Sequence, residues 1–486
     1  MTSYSANSHS SIERNVVIDR ESSLARSRSQ PTIALLPFPD LFEDFFDTIG
    51  LSLESFGNEL TGGWMFNYID ALQLAGVRTV LFFISARVSQ TTQFVHAPTG
   101  AMVCVLPAPK IYRAYRAVRH QVERLVPSLK GSSSDVCSAG STNTPSPQSP
   151  RRSPQIAFKS GVKSLGSYLS TPLRLLAREL RQQECDAILC QEYEFARFDV
   201  CVLLGKLMRL PVFATFQGGD RLPSPLEYPL RWLTLRTCTG LIVASQPERQ
   251  RLQTFYRLGS AQIARIFNPM DATTWGAIDR NQARSALDIP EKAKIVVFHG
   301  RIQIWHKGLD ILLEAWEQIC RERPGQDLRL LLVGTGSDAD ALRQRIAVME
   351  LKGVMWIDEY VRDRNLIQRY LSAADVYTLP SRKEGFPVAP IEAMACGLPV
   401  VAADVAGVSD IFEHGEAHGG LVVPREDAHA LALELGRVLD DETYRDQLGK
   451  NARRRAQECF SFEVIGKQLR DLLLCQNHPQ GELLRK

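Results

Sequence analysis

The sequence holds no uncharged apolar run near the ~20 residues that a membrane-spanning helix needs, so a spanning segment is not expected. Its first ten residues, Met-Thr-Ser-Tyr-Ser-Ala-Asn-Ser-His-Ser, lack the apolar centre of a secretory signal. None of its ten cysteines forms a CxxC pair, which removes the zinc and thioredoxin-like readings. Several lie in apolar runs such as Ile188-Leu189-Cys190, where a buried, reduced thiol is expected. An excess of one charge is also missing. Against 57 Lys and Arg stand 54 Asp and Glu, a formal net charge of +3, so no bulk electrostatic attraction to nucleic acid arises. The expectation is a cytoplasmic protein without a nucleic-acid partner.

What is present suits two globular domains. A chain of 486 residues, 44% hydrophobic and 23% charged, exceeds what one core usually organises. Residues 1–30 are rich in Ser and Arg and read as a tail. Residues 127–155 read as a flexible Ser/Pro insertion. Strand-like runs at 31–37, 78–84, 187–190, 212–216 and 240–244 alternate with helical patterns, among them 64–75, which ends at Gly76. A second alternating series has strands at 294–299, 328–333, 354–357, 375–379 and 399–403, and 426–475 is mostly helical. The expected architecture is α/β: two Rossmann-like halves, at 31–275 and 276–445, facing a cleft, with closing helices at 446–486.

The richest segment is Pro380-Ser-Arg-Lys-Glu-Gly-Phe-Pro-Val-Ala-Pro-Ile-Glu-Ala-Met-Ala-Cys-Gly-Leu-Pro399. A strand ends before it, Gly385 and Pro387 break a loop, and Pro390 opens a helix that Gly397 closes. Such a turn offers backbone N–H groups and a positive dipole end to an anion. Glu384 and Glu392 flank it, and carboxylates accept hydrogen bonds from sugar or ribose hydroxyls. Glu392 also suits plain first-turn dipole stabilisation; Glu384, in a loop, has no comparable structural reason to be there.

Glu384 and Glu392, with seven residues between them in "PSRKEGFPVAPIEAMACGLPVVA", resemble the E-x7-E signature of retaining glycosyltransferase family 4. "VVFHGRIQIWHKGLD" looks like that family's strand–Gly-Arg…Lys-Gly element, and "LLLVGTGSD" and "LIQRYLSAADVYTLPS" resemble its next turn and the lead-in to the signature. The resemblance implies a GT-B fold and a retaining, metal-independent transfer of a hexose-type sugar from a nucleotide-diphosphate sugar; no cofactor beyond that donor is implied. It implies that Arg301 and Lys307 bind the diphosphate, that Glu392 meets the ribose, and that Glu384 with the backbone at Gly385 and Phe386 holds the sugar. Arg301 and Lys307 could also be a solvated loop pair. In the first half, "ELTGGWMFNY" is similar to the family's glycine-rich loop, with Gly62 and Gly63 letting the backbone approach a phosphate.

Two departures stand out. Gln217 occupies a slot where the family usually carries a histidine, so it can hydrogen-bond a hydroxyl but cannot titrate. Neighbouring Asp220 suits a turn equally well. Asp358 stands where the family commonly has glycine. For the acceptor, the resemblance implies a saccharide or a lipid-linked glycan in polysaccharide or glycolipid synthesis. Residues 110–125 form a basic amphipathic pattern, with Arg113, Arg116 and Arg119 three apart, which suits an anionic membrane surface or an ordinary solvated helix face. A peripheral position on the inner membrane face would follow from the first. The competing readings are a soluble synthase of the sucrose or trehalose type, a GT-B phosphorylase or epimerase, and a non-catalytic sugar-nucleotide binder.

Overall fold

The computed structural model describes residues 30–474 except 38–39, 48–49, 61–62, 126–165, 217, 219–222 and 277. The tail at 1–29 and the Ser/Pro insertion therefore lie outside the described residues, as do Gly62, Gln217 and Asp220.

Two sheets organise the chain. The first contains β1 (Thr32–Pro37), β2 (Arg78–Ser85), β3 (Thr92–Val95), β4 (Met102–Pro107), β5 (Ala187–Gln191), β6 (Val212–Thr215), β7 (Gly240–Val243) and β8 (Ile263–Arg265), in the order 3-4-2-1-5-6-7-8. All its pairings are parallel except that of β3 with β4. The second contains β9 (Lys294–His299), β10 (Leu328–Val333), β11 (Val354–Ile357), β12 (Val376–Leu379), β13 (Val400–Ala403) and β14 (Gly420–Val423), in the order 11-10-9-12-13-14, all parallel. Continuous apolar strands such as Thr-Ile-Ala-Leu-Leu-Pro are buried along their whole length because helices cover both faces of a parallel sheet. This is the pair of Rossmann-like halves expected from the sequence.

The order of strands reverses between β1 and β5 in the first sheet and between β9 and β12 in the second. Ligands of open α/β sheets bind beyond the carboxyl ends of strands at such switch points. The segments after β9 and β12, residues 300–308 and 380–388, hold Arg301, Lys307 and Glu384 with the backbone positions Gly385 and Phe386, and Glu392 follows in the next helix.

The closing helices divide differently from the expectation at 446–486. Helix Glu442–Phe460 stays with the second sheet: its Leu448, Ala452, Ala456 and Phe460 are buried in that domain's core clusters. Among the described residues, only helix Phe462–Leu474 returns to the first domain, where Ile465, Leu469 and Leu473 join the core beneath helix Gly63–Leu74. Gly466 makes this packing possible, since a Cβ there would stand 2.1 Å from the carbonyl oxygen of Ala71. Met270 N–H bonds the Phe460 carbonyl at 2.8 Å, fastening the two chain crossings to each other.

Candidate functional site

Three loops at the carboxyl edge of the second sheet converge. After β9, Gly300 donates to the Val333 carbonyl at 3.0 Å and Ile302 to the Thr335 carbonyl at 3.0 Å. The glycines of Val333-Gly-Thr-Gly-Ser337 give room for this, because a Cβ on Gly334 would lie 2.1 Å from the Gly300 oxygen and one on Gly336 2.3 Å from the Ile302 oxygen. Asp338 then accepts from Ile304 N–H at 2.8 Å, ordering the short helix Ile304–Lys307. Gly308 follows at φ +62°, and its missing Cβ lets the Pro380 carbonyl approach where a methyl would be 2.0 Å away. Glycine is required there on both counts.

Arg382 ties the second loop to the first. Its guanidinium makes a two-pronged bond to Asp310 at 2.7 and 2.8 Å, reaches the Trp305 carbonyl at 2.9 Å, and meets Glu426 at 2.7 Å. Burial alone would raise the Asp310 carboxyl, but the bonds and charge of Arg382 carry it below its ordinary value. Sequence reasoning passed over Arg382, since its partner Asp310 lies 72 positions away.

Lys307 and Glu384 thereby meet. Lys307 Nζ donates to Glu384 Oε1 at 2.7 Å, and Ser381 Oγ donates to the same oxygen at 2.7 Å. The two side chains are only 16% and 10% exposed. Lys307 keeps two further N–H donors, and Glu384 Oε2 receives no hydrogen bond among the described residues. Arg301 is exposed and makes no hydrogen bond among the described residues. His306 senses the whole group: burial first, then Lys307, lowers its pKa, Glu384 opposes, and Arg301 and Lys383 lower it further.

Glu392 lies in the first turn of helix Ala389–Ala395, as the sequence predicts, but with a partner the sequence did not suggest. His299, the last residue of β9, places Nε2 2.9 Å from Glu392 Oε2. Donation to the carboxylate puts the proton on Nε2 and leaves Nδ1 buried with no partner among the described residues. Tyr377 lies beneath this pair and donates to the His299 carbonyl at 3.3 Å. Burial, then Glu392 and Glu384, pushes its phenol well above the ordinary tyrosine value, so both carboxylates bracket it.

The first domain closes over this edge. Gly218, at φ +98°, faces Gly385 across the cleft; a Cβ on Gly385 would lie 2.3 Å from Gly218 Cα. Phe386 is buried and stacks on Phe267 with centroids 5.4 Å apart and an angle of 18°. Its side chain is an interdomain anchor. Gly407, at φ +82°, supports the same loop from behind, where a Cβ would meet the Gly385 carbonyl at 2.7 Å. Gly63 opens helix Gly63–Leu74, whose Asn67 and Tyr68 bond Pro269 O and Asn268 Oδ1, each at 3.0 Å. Asp358, at the end of β11, is ion-paired to Arg343, whose guanidinium also covers the Trp356 ring at 5.2 Å. That residue is thus already satisfied within the C-terminal domain.

Among the described residues, no helix is long and apolar enough to cross a membrane, and no group of three or more His, Cys, Asp or Glu is placed to hold a metal ion.

Residues 279–455 match the family model described as Glycosyl transferases group 1, a stretch that contains Arg301, Lys307, Glu384 and Glu392. The D-inositol 3-phosphate glycosyltransferase of Kineococcus radiotolerans is 32% identical over 231 residues, covering 45% of this chain and 53% of that protein. Its counterpart from Saccharomonospora viridis is 33% identical over 239 residues, 48% and 54% of the two chains. The chain therefore spans about half the length of the curated relatives it matches. HepE of Anabaena, solved in complex with UDP, is similar in structure at a TM-score of 0.62 and 17% identity, over 91% of this chain and 99% of HepE. The sucrose-phosphate synthase of Thermosynechococcus elongatus gives 0.59 at 22% identity, over 91% and 98%. The fold is GT-B.

Proposed function

We propose that this protein is a retaining, metal-independent glycosyltransferase that moves a hexose-type sugar from a nucleotide-diphosphate sugar to a hydroxyl of a saccharide or lipid-linked glycan. The Lys307–Glu384 pair carries the reading: a cation and a carboxylate held together at a switch point, inside the segment that matches the group 1 model. Arg301 and the two remaining Lys307 donors would take the diphosphate. As the bond from the sugar C1 to its β-phosphate oxygen breaks, charge accumulates on that oxygen, and fixed cations stabilise it most in the transition state. The acceptor hydroxyl bonds C1 on the face the phosphate leaves, and its proton passes to the departing phosphate. Glu384 orients sugar hydroxyls and Glu392, steadied by His299, accepts from the ribose. HepE has been solved with UDP-glucose, which makes that the first donor to try. NMR of the product made in the presence of EDTA tests the scheme. The same anomer as in the donor is expected, at a rate EDTA does not change; an inverted linkage or loss of turnover would overturn it.

A lipid-linked acceptor is favoured over a soluble one by helix Lys110–Leu125. Its Tyr112 is buried and its Arg116 pairs with Asp44 at the protein surface, whereas Ile111 and Val118 are 63% and 62% exposed and Ala114 and Ala117 are exposed beside them. An apolar stripe turned to solvent next to Lys110 and Arg113 suits the interface of an anionic bilayer. Co-sedimentation with phosphatidylglycerol vesicles should occur and be lost in the double variant Ile111→Glu, Val118→Glu. Equal binding of the variant, or no binding of either, contradicts a membrane role.

A further inference from the structure

A cavity of about 370 Å³ opens in the C-terminal domain between the 3-10 turn Gly415–His418 and helix Glu442–Phe460. Ala417, His418, Arg454, Arg455 and Glu458 line it, and none of these belongs to the loops around Glu384. Two guanidinium groups and an imidazole therefore face one carboxylate. His414 N–H points to His418 Nδ1 at 3.3 Å, which makes Nδ1 the acceptor and leaves Nε2 carrying the proton. The three basic side chains are thus all hydrogen-bond donors, and guanidinium groups suit the oxygens of a phosphate. The volume lies at the lower end of ordinary small-ligand pockets, about 300–1,000 Å³, and exceeds what inorganic phosphate fills.

We propose that this cavity binds a phosphate monoester of sugar size and that its occupation weakens donor binding; the second clause rests on the donor site proposed above. The link is Arg455. Its guanidinium donates to the carbonyls of Asp410 and Ile411, both at 3.3 Å, and lies 3.6 Å from Glu413. Asp410 and Ile411 belong to the short helix Val408–Ile411, and Gly407 just before it lies so close to the next loop that a Cβ there would stand 2.7 Å from the Gly385 carbonyl oxygen and 2.9 Å from Phe386 Cα. The Asp410 carboxylate in turn accepts Gln246 N–H at 2.9 and 3.1 Å and Arg265 at 2.9 Å, both from the first domain. A phosphate that draws Arg455 into the cavity loosens the element that supports the Gly385–Phe386 loop and joins the domains. Coupling of this kind is reciprocal between ligands.

Calorimetric titration of the full chain with glucose 6-phosphate and, separately, inorganic phosphate tests the site. Glucose 6-phosphate should bind at least about tenfold more tightly than inorganic phosphate. Arg454→Glu, at an exposed position, should weaken it at least about tenfold, and Glu458→Gln should tighten it. Arg301→Ala should leave it unchanged. Equal binding of inorganic phosphate would overturn the monoester assignment, and binding that is lost in Arg301→Ala but kept in Arg454→Glu would put the ligand in the cleft. For the coupling, saturating glucose 6-phosphate should raise the UDP dissociation constant about fivefold or more in the native chain and not in Arg454→Glu. An unchanged constant overturns the coupling. A chain that binds glucose 6-phosphate as stated but none of UDP, GDP and ADP contradicts both the donor reading and the coupling, while the cavity titration stands.

Discussion

Replacing Lys307 by alanine is expected to lower kcat by about 10²–10³-fold, the loss typical when one fixed group that stabilises transition-state charge is removed. Two effects combine. In the proposed reaction the departing diphosphate loses one of the two cations assigned to it, and Glu384, only 10% exposed, keeps its carboxylate with Ser381 as its one remaining partner among the described residues. An unpaired carboxylate in so enclosed a position costs about 1–3 kcal/mol and stands beside the phosphates it would repel. The double variant Lys307→Ala, Glu384→Gln separates the two effects. Its melting temperature should recover most of what the single variant lost, because the orphaned charge is gone, while kcat stays low. Lys307→Arg should also fail to restore the rate, since a planar fork cannot serve both Glu384 and a phosphate from one point. Steady-state kinetics beside thermal unfolding read both quantities, and a Lys307→Ala enzyme of native kcat would remove the assigned role.

Gly385→Ala is expected to lower kcat about 10²-fold with little change in melting temperature. Gly385 has no left-handed backbone angle, so alanine is not strained within its own loop. The obstacle is across the cleft, where the new methyl would lie 2.3 Å from Gly218 Cα. One domain must move back, and the displaced loop carries Glu384. A shift of this order misaligns the reacting groups and admits water, without removing contacts inside either core. Full activity in Gly385→Ala would mean that the closed approach of Gly218 and Gly385 is not the reactive arrangement. Strong destabilisation would mean that the two domains fold as one cooperative unit through this contact.

The parts of the fold that were legible in the sequence are those whose signal is local. Strands such as β1, β9 and β10 are long, apolar and buried on both faces, and each predicted strand has its counterpart. The strands passed over are β3, β4, β8 and β14. β3 is an edge strand whose residues are mostly exposed and show no alternation, and β8 has only three residues. β14, Gly-Leu-Val-Val, has β-forming valines but only four residues, and it begins at a glycine directly after a 3-10 turn, so its signal is short. β4, Met-Val-Cys-Val-Leu-Pro, is a short buried run with a proline at its end and no helical pattern before it, since the edge strand β3 precedes it.

The site shows the same division. Glu384 and Glu392 are separated by a fixed spacing inside one loop and helix, and Arg301 and Lys307 follow one strand, so each could be read from its own neighbourhood. Their partners could not. His299 meets Glu392 across 93 positions, Arg382 reaches back 72 to Asp310, and Gly218 meets Gly385 from the other domain. Such pairs arise only once parallel strands bring loop ends to one edge. The boundary of the closing helices was missed for a related reason, because helices Glu442–Phe460 and Phe462–Leu474 are nearly continuous in sequence and only packing sends one to each domain.

The most direct test of the central claim is calorimetric titration of UDP-, GDP- and ADP-glucose into the full chain with EDTA present, repeated on Lys307→Ala and Glu392→Gln. One nucleotide class should bind without metal and lose at least about tenfold in affinity in each variant, since each variant removes a charged contact proposed for the donor. Binding that neither variant alters, or binding that appears only when a divalent cation is restored, would contradict the account.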